Sequence, residues 1–244
     1  MKRDEWQFPW SLGWPEIDRA GMVEVDRRMV KIYGITLEKM MENAGRALAT
    51  VAWCRWLYGL NAPRVTIMAG SGGNGGGALV AARRLSAWGA KVEIVLARPA
   101  TGLTLVPAGQ LAILASMGIA AVDAPGEGAD LILDGLVGYS LSGAPMGCLA
   151  DLVAWANGSG TPILALDVPS GFDAATGQLA IPTVSAAATV MLALTKRGLT
   201  DPMVREAVGD FYLGDISVPP LLHSELSCSI RPPDFRGEDL LRTA

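Results

Sequence analysis

The residues best suited to chemistry in this sequence are two aspartates that close apolar runs and a glycine-rich stretch upstream of them. Leu131-Ile-Leu-Asp134-Gly-Leu-Val-Gly138 ends one apolar run on a carboxylate, and a Gly/Ser segment follows it. Ile163-Leu-Ala-Leu-Asp167-Val-Pro169-Ser170-Gly171 repeats the arrangement. Before both, Val65-Thr-Ile-Met-Ala-Gly70 leads into six glycines in eight residues, with Asn74 among them, and an Ala/Leu/Arg run leaves it. Glycines let a ligand approach the backbone, and the unpaired N–H groups at the start of the following helix favour an anion, so this stretch suits a phosphate-bearing ligand. Oxygen donors from Asn74, Asp134 and Ser170 suit a hard cation. A carboxylate at a partly buried strand end can act as a general base. Taken singly, each aspartate is as readily a cap or turn residue.

These groups meet only if the chain alternates strands and helices. Apolar runs at 64–69, 91–97, 120–122, 131–136, 162–167, 188–194 and 211–216 read as strands, and amphipathic segments near 76–88, 107–117 and 145–157 as helices, with Pro145 in the first turn of the last. Alternation of this kind implies a mainly parallel sheet covered by helices on both faces. In such a sheet all strand carboxyl ends share one edge, where open α/β folds bind ligands, so the Gly70–Gly77 stretch, Asp134 and Asp167 converge there. Lys196, just past the strand at 188–194, falls at the same edge or is a solvated lysine. Two helices precede the first strand: Met22, Val25, Met29 and Ile32 share one stripe, and Leu37, Met40, Met41, Ala44, Leu48 and Val51 another. Glu42-Asn43 lies on the second helix beside Gly45, which permits close helix packing. Residues 1–15, rich in tryptophan, read as an aromatic arm, and about 220–244 as an irregular extension of a single domain spanning 1–244.

Gly70-x-Gly72-x-x-Gly75 satisfies a dinucleotide-binding spacing, but the acidic residue expected about twenty positions on is missing: the next strand ends at Arg98, and Glu93 is mid-strand. An NADP-linked oxidoreductase with Arg98 at a 2′-phosphate is therefore a minor reading. The net charge of −4 gives no general attraction to nucleic acid or anionic lipid. Cys54, Cys148 and Cys228 are scattered, as reduced thiols are. The single histidine, His223, reads as a surface loop residue and argues against a Ser-His-Asp triad. No apolar run has transmembrane length and the first residues lack a signal core, so the protein is expected in the cytoplasm.

The motifs together resemble the NAD(P)H-hydrate epimerases, the YjeF N-terminal domain family, from about Met22 to Leu199. Met22-Val-Glu-Val-Asp26-Arg27-Arg28 and Met41-Glu42-Asn43-Ala44-Gly45 are similar to its N-terminal motifs. Gly72-Gly73-Asn74-Gly75-Gly76-Gly77-Ala78-Leu79-Val80 resembles its G-N-N-G-G-D-G-L-V loop. Asp134-Gly-Leu-Val-Gly138 resembles D-A-L-F-G, Asp167-Val-Pro-Ser170-Gly-Phe-Asp173 resembles D-I-P-S-G-L-D, and Lys196 with Gly198-Leu199 matches the lysine segment after the next strand. The resemblance implies a three-layer αβα Rossmann-like sandwich, often a homodimer, that interconverts the R and S forms of NADHX and NADPHX before a separate dehydratase repairs the S form. It implies a potassium ion held by Asn74, Asp134 and Ser170. It also implies a dinucleotide lined by Gly73, Asn74, Gly75, Gly76 and Gly77 and by Gly138, Tyr139, Ser140, Leu141, Ser142, Gly143 and Ala144. Asp167 would contact the hydrated nicotinamide, with Lys196 beside it as the second catalytic group. No fused dehydratase segment is expected, since the sequence stops at Ala244.

Four residues depart from the family pattern. Gly73 stands for the first Asn of the loop, Gly77 for its Asp, and Tyr139-Ser140 for a Thr-Gly pair. The departures leave an alternative open: a nucleotide-binding or scaffold domain of the same fold, weakened in catalysis.

Overall fold

The computed structural model describes residues 16–225, 233–235 and 238–242, so the aromatic arm at 1–15 and Cys228 lie outside the described residues. In chain order the elements are β1 (Glu16–Ile17), α1 (Arg19–Lys31), α2 (Leu37–Ala52), β2 (Arg64–Ala69), α3 (Gly73–Ala87), β3 (Lys91–Leu96), α4 (Leu105–Ser116), β4 (Ala121–Val122), β5 (Leu131–Gly135), α5 (Cys148–Gly158), β6 (Ile163–Leu166), β7 (Phe172–Asp173), β8 (Gln178–Leu179), β9 (Ala188–Leu192), β10 (Thr195–Lys196), α6 (Arg205–Val208), β11 (Asp210–Gly214), α7 (Pro220–Glu225) and β12 (Leu240–Arg242). Eight strands form the central sheet in the order β12-β11-β9-β6-β5-β2-β3-β4. Every neighbouring pair is parallel except β11 with β12.

Period-two alternation along the strands builds the two faces. Val65, Ile67 and Ala69 of β2, Leu131 and Leu133 of β5, and Leu164 and Leu166 of β6 pack with α1 to α4. Met68, Ile132, Ile163 and Ala165 point the other way, onto Leu152, Val153 and Ala156 of α5. The result is the expected three-layer Rossmann-like sandwich. Because β3 and β4 lie on one side of β2 and β5, β6, β9 and β11 on the other, strand order reverses between β2 and β5. A crevice opens at the carboxyl ends of strands at such a switch point.

The differences from the sequence reading are local. The glycine stretch is not a loop as far as Gly77: α3 begins at Gly73, capped by Gly72. Missing side chains are what allow this, since a Cβ on Gly75 would overlap the backbone of Gly70, and one on Gly45 of α2 would overlap Gly77 and Val80 of α3. Helices α2 and α3 thereby touch backbone to backbone. The strand expected over 188–194 stops at Leu192. Ala193 turns with φ +63°, and Thr195–Lys196 leave the sheet to pair with β1. Pro145 precedes α5 rather than opening it, because Gly147, at φ +56°, sets the helix start at Cys148. The tail after 219 is not wholly irregular, since α7 caps it and β12 extends the sheet antiparallel to β11. His223 is consequently not at the surface; it lies on α7 and is only 3% exposed. Cys54 is buried, which pushes its thiol up to about 12, and Cys148 is exposed.

Candidate active site

The loops that leave β2, β5 and β6 surround a cavity of about 230 Å³ at the switch point. Gly73 and Asn74 line it from the start of α3, Gly138, Tyr139 and Ser140 from the loop after β5, and Asp167 from the end of β6. Met22, Asp26, Leu37 and Met41 close it from α1 and α2, and Leu192 from the end of β9 and Ile216 from beyond β11. Gly75, Gly76 and Gly77 stand behind this lining: a side chain on them would meet Gly70, Val106 and Leu166, respectively. Leu141 is buried, its carbonyl accepting from Arg19 Nη1 at 3.2 Å, and Ser142, Gly143 and Ala144 are exposed and outside the lining. Arg98 is exposed outside the lining.

Asp134, near the end of β5, and Asp167, just past the end of β6, lie on neighbouring strands yet live in different surroundings. Asp134 is fully buried and takes hydrogen bonds from Ser170 Oγ (2.6 Å), Ser170 N (2.8 Å) and Leu136 N (3.2 Å). Burial pushes its carboxyl up to about 6, against the lowering effect of those three bonds. No cationic side chain among the described residues pairs with it. A carboxylate so placed is short of a counter-charge.

Asp167 has that counter-charge. Its Oδ1 forms an ion pair with Lys196 Nζ, and Lys196 is wholly buried, donating also to the Leu192 carbonyl at 2.7 Å. The solvated-lysine alternative is therefore ruled out, and the turn at Ala193 is what sends Lys196 back under the sheet edge. Asp167 itself holds φ +69°, a strained value for a residue with a Cβ. Its Oδ2 accepts from Tyr139 N at 2.9 Å, so the pair also fixes the loop after β5. A Cβ on Gly138 would press on both Asp167 Oδ2 and Asn74 Oδ1, so glycine there leaves room between those two oxygens. Asn74 Nδ2 donates to the Leu166 carbonyl at 3.1 Å, turning its amide oxygen toward that space.

Asp26 is the polar wall residue that the sequence reading left without a role. With Met22 and Met29 it falls on one stripe of α1, and an acidic residue inside an otherwise apolar stripe was the available signal. Tyr139 Oη donates to Asp26 Oδ2 at 2.5 Å. Burial raises the Asp26 carboxyl above its ordinary range and outweighs the lowering by Tyr139; burial chiefly raises the Tyr139 phenol as well. Lys196 Nζ lies 6.0 Å from the Tyr139 ring centre, at the limit of a cation–π contact.

A Rossmann-like α/β protein with its buried charges gathered at the switch point is the class that this fold and site define. The chain belongs to the YjeF-related protein N-terminus family, whose pattern matches residues 37–198. It is 41% identical over 220 residues to a protein of Dehalogenimonas lykanthroporepellens named NAD(P)H-hydrate epimerase, with 88% of each chain covered. It is 36% identical over 193 residues to an NAD(P)H-hydrate epimerase of Cenarchaeum symbiosum, covering 77% of this chain and 88% of that one. A bifunctional NAD(P)H-hydrate repair enzyme of Thermofilum pendens is 32% identical over 220 residues, 86% of this chain but only 41% of that protein's length. The crystal structure of the yeast protein YNU0 superposes with a TM-score of 0.80 over 93% of this chain and 99% of its own, at 21% identity, and so shares the fold.

Proposed function

We propose that this chain is an NAD(P)H-hydrate epimerase that interconverts the R and S forms of NADHX and NADPHX. The observation that carries the reading is the buried Asp167–Lys196 pair on the wall of the switch-point cavity, in a chain so similar to proteins named for that activity. Both charged groups survive the departures at Gly73, Gly77 and Tyr139, which disfavours the alternative of a domain that has lost its catalysis.

The hydrated nicotinamide is a hemiaminal: C6 carries a hydroxyl and is bonded to N1. Inverting C6 requires that a bond to it open and re-form on the other face. Asp167, as a carboxylate beside the Lys196 ammonium, takes the hydroxyl proton or returns it. The cavity is smaller than the 300–1,000 Å³ or so usual for ligand pockets, so it accommodates the nicotinamide end. The rest of the dinucleotide then runs over the rim past Gly143 and the N–H groups that open α3, where its phosphates meet the helix dipole.

A potassium ion fits the donor set. Asn74, Asp134 and Ser170 offer amide, carboxylate and hydroxyl oxygens and no nitrogen or sulfur donor is needed, and the uncompensated Asp134 carboxylate supports a cation there. These three residues would hold it, and its charge would hold the loops after β2, β5 and β6 together. The protein works, in this reading, as a cytoplasmic homodimer whose S product passes to a dehydratase; the bifunctional naming of several relatives supports that coupling.

The test is conversion of purified R-NADHX to the S form, followed by chromatography in potassium and in sodium. Conversion above the uncatalysed rate is expected, faster in potassium. A folded protein that leaves the epimer ratio at its uncatalysed course overturns the reading, and equal rates in the two salts overturn the potassium assignment alone.

A further inference from the structure

We propose that Tyr139 and Asp26 form a second proton-transfer pair on the wall of the cavity that Asp167 also lines, reaching it from α1 and the loop after β5, so that each face of C6 has its own proton-transfer group. The inference rests on the epimerase reading. Tyr139 meets every charged side chain of the cavity wall: its hydroxyl donates to Asp26, its backbone N–H donates to Asp167, and its ring lies near Lys196. It stands where the family resemblance calls for a threonine. Asp26 arrives from a different element, α1, is partly buried, and has no basic partner at contact among the described residues; Lys196 and Asp167 are the charged groups that act on it through space.

The chemistry calls for two groups. In ring opening, the hydroxyl proton of C6 passes to a carboxylate, the O–H electron pair becomes the second bond of C6=O, and the C6–N1 pair moves onto N1, where the C2=C3 bond and the carboxamide delocalise it. Rotation about C5–C6 presents the other face of the aldehyde. The N1 pair then re-forms C6–N1, the carbonyl π pair returns to oxygen, and that oxygen takes a proton. The oxygen now lies on the opposite face, so the group that received the first proton is out of reach of the second transfer. Asp167–Lys196 serves one face and Asp26–Tyr139 the other, the pair relaying its proton along the Tyr139 Oη–Asp26 bond. One pair gains the proton the other loses, exchange with solvent resets them, and nothing is oxidised or reduced. Burial already favours a protonated carboxyl on Asp26, which suits it to give a proton.

The experiment compares R-to-S conversion by wild type, Y139F, D26N and the double variant, with thermal midpoints and dinucleotide affinity measured alongside. Y139F keeps the ring, its backbone contact and its packing and removes only the hydroxyl. The expected result is a kcat lowered about 10²-fold in each single variant with KM changed by less than about threefold. The double variant is expected to lose no more than the worse single one, because the pair acts as one unit. Y139F with a kcat within about threefold of wild type overturns the inference, as do losses that multiply in the double variant or a loss confined to KM. A wild type that does not convert R-NADHX overturns the epimerase reading and this inference with it, whereas an active wild type with an equally active Y139F overturns this inference alone.

Discussion

At the carboxyl ends of the strands the cavity measures about 230 Å³ and holds Asp26, Asp167 and, just behind them, Lys196 and Asp134, all but Asp26 with less than a twentieth of their surface exposed. At the amino ends two larger hollows, of about 560 and 390 Å³, run between Arg64, Lys91 and Glu93 and the 126–129 segment and on to Trp155 and Thr161. The larger spaces are edged by side chains that stand in water: Arg64, Lys91 and Glu127 are exposed, and Glu93 is tied to Gly126 N at 2.8 Å. Volume does not mark the reactive end of this sheet. Charge removed from water does, because electrostatic interactions there are screened far less, and because a group held against its own burial shifts its protonation. The loops after β2, β5 and β6 do the burying, and the strand-order reversal brings them together.

Removing the charge at the carboxyl edge is the strongest way to sharpen that contrast. Asp167→Asn keeps the side chain's size, and turnover is expected to fall by about 10³-fold or more, at the upper range for a proton-transfer group. It also leaves Lys196 buried without its carboxylate. The converse change, Lys196→Met, strands the Asp167 charge and is expected to cost about 3–5 kcal/mol in urea unfolding. The double variant D167N/K196M carries neither charge, so it should regain most of the lost stability and none of the turnover. Recovered turnover in the double variant would remove Asp167 from the chemistry; unrecovered stability would mean that the two side chains are not coupled by charge.

The edge itself was legible because its signals are short-range. Asp134 and Asp167 each end an apolar run, parallel strands end on one side, and the glycine stretch follows another such run; topology then does the gathering. Four of the seven strand starts, at Arg64, Lys91, Leu131 and Ala188, coincide with the sequence reading. Close packing could not be read the same way. That α3 starts at Gly73 depends on backbone contact with Gly70 and α2, which no local pattern announces. Lys196 was ambiguous for a related reason: a left-handed turn at Ala193, a residue that rarely adopts one, decides between solvent and a buried partner. Asp26 was hidden in a stripe whose other members are core, and only the fold brings it against Tyr139, 113 positions away.

A buried titratable group outside the cavity separates burial from chemistry. His223, on α7, is 3% exposed, and its Nδ1 has no hydrogen-bond partner among the described residues. Burial lowers its affinity for a proton. Below a pH of about 6.5 the unfolded chain therefore binds more protons at this residue than the folded one does. Stability is full above that pH and falls as pH drops through it, by up to about 1.4 kcal/mol per unit from this group. His223→Leu is expected to flatten that part of the profile, seen as the difference between wild-type and variant urea midpoints at pH 5.5 to 7.5 (about one pH unit on either side of the ordinary histidine value), with turnover at neutral pH unchanged. A parallel pair of profiles would mean that His223 is protonated equally well in both states.

The smallest effect belongs to the larger hollows. Lys91→Gln and Glu127→Gln, made together, remove two charges from the amino-end surface while keeping side-chain length. Both residues are exposed, so neither loses a buried partner, and neither sits within the fields of Asp167 or Asp26, which lie a full strand length away at the other edge. Surface changes of this kind stay within about 0.5 kcal/mol of wild type. With charges screened by water and salt over that distance, kcat and KM are expected to stay within about twofold. Dinucleotide titration of the double variant checks the same point without relying on turnover. A tenfold or so weaker affinity would show that the dinucleotide reaches the amino-end hollows, and would reverse the contrast between the two ends, since surface variants far from contacts normally leave binding untouched.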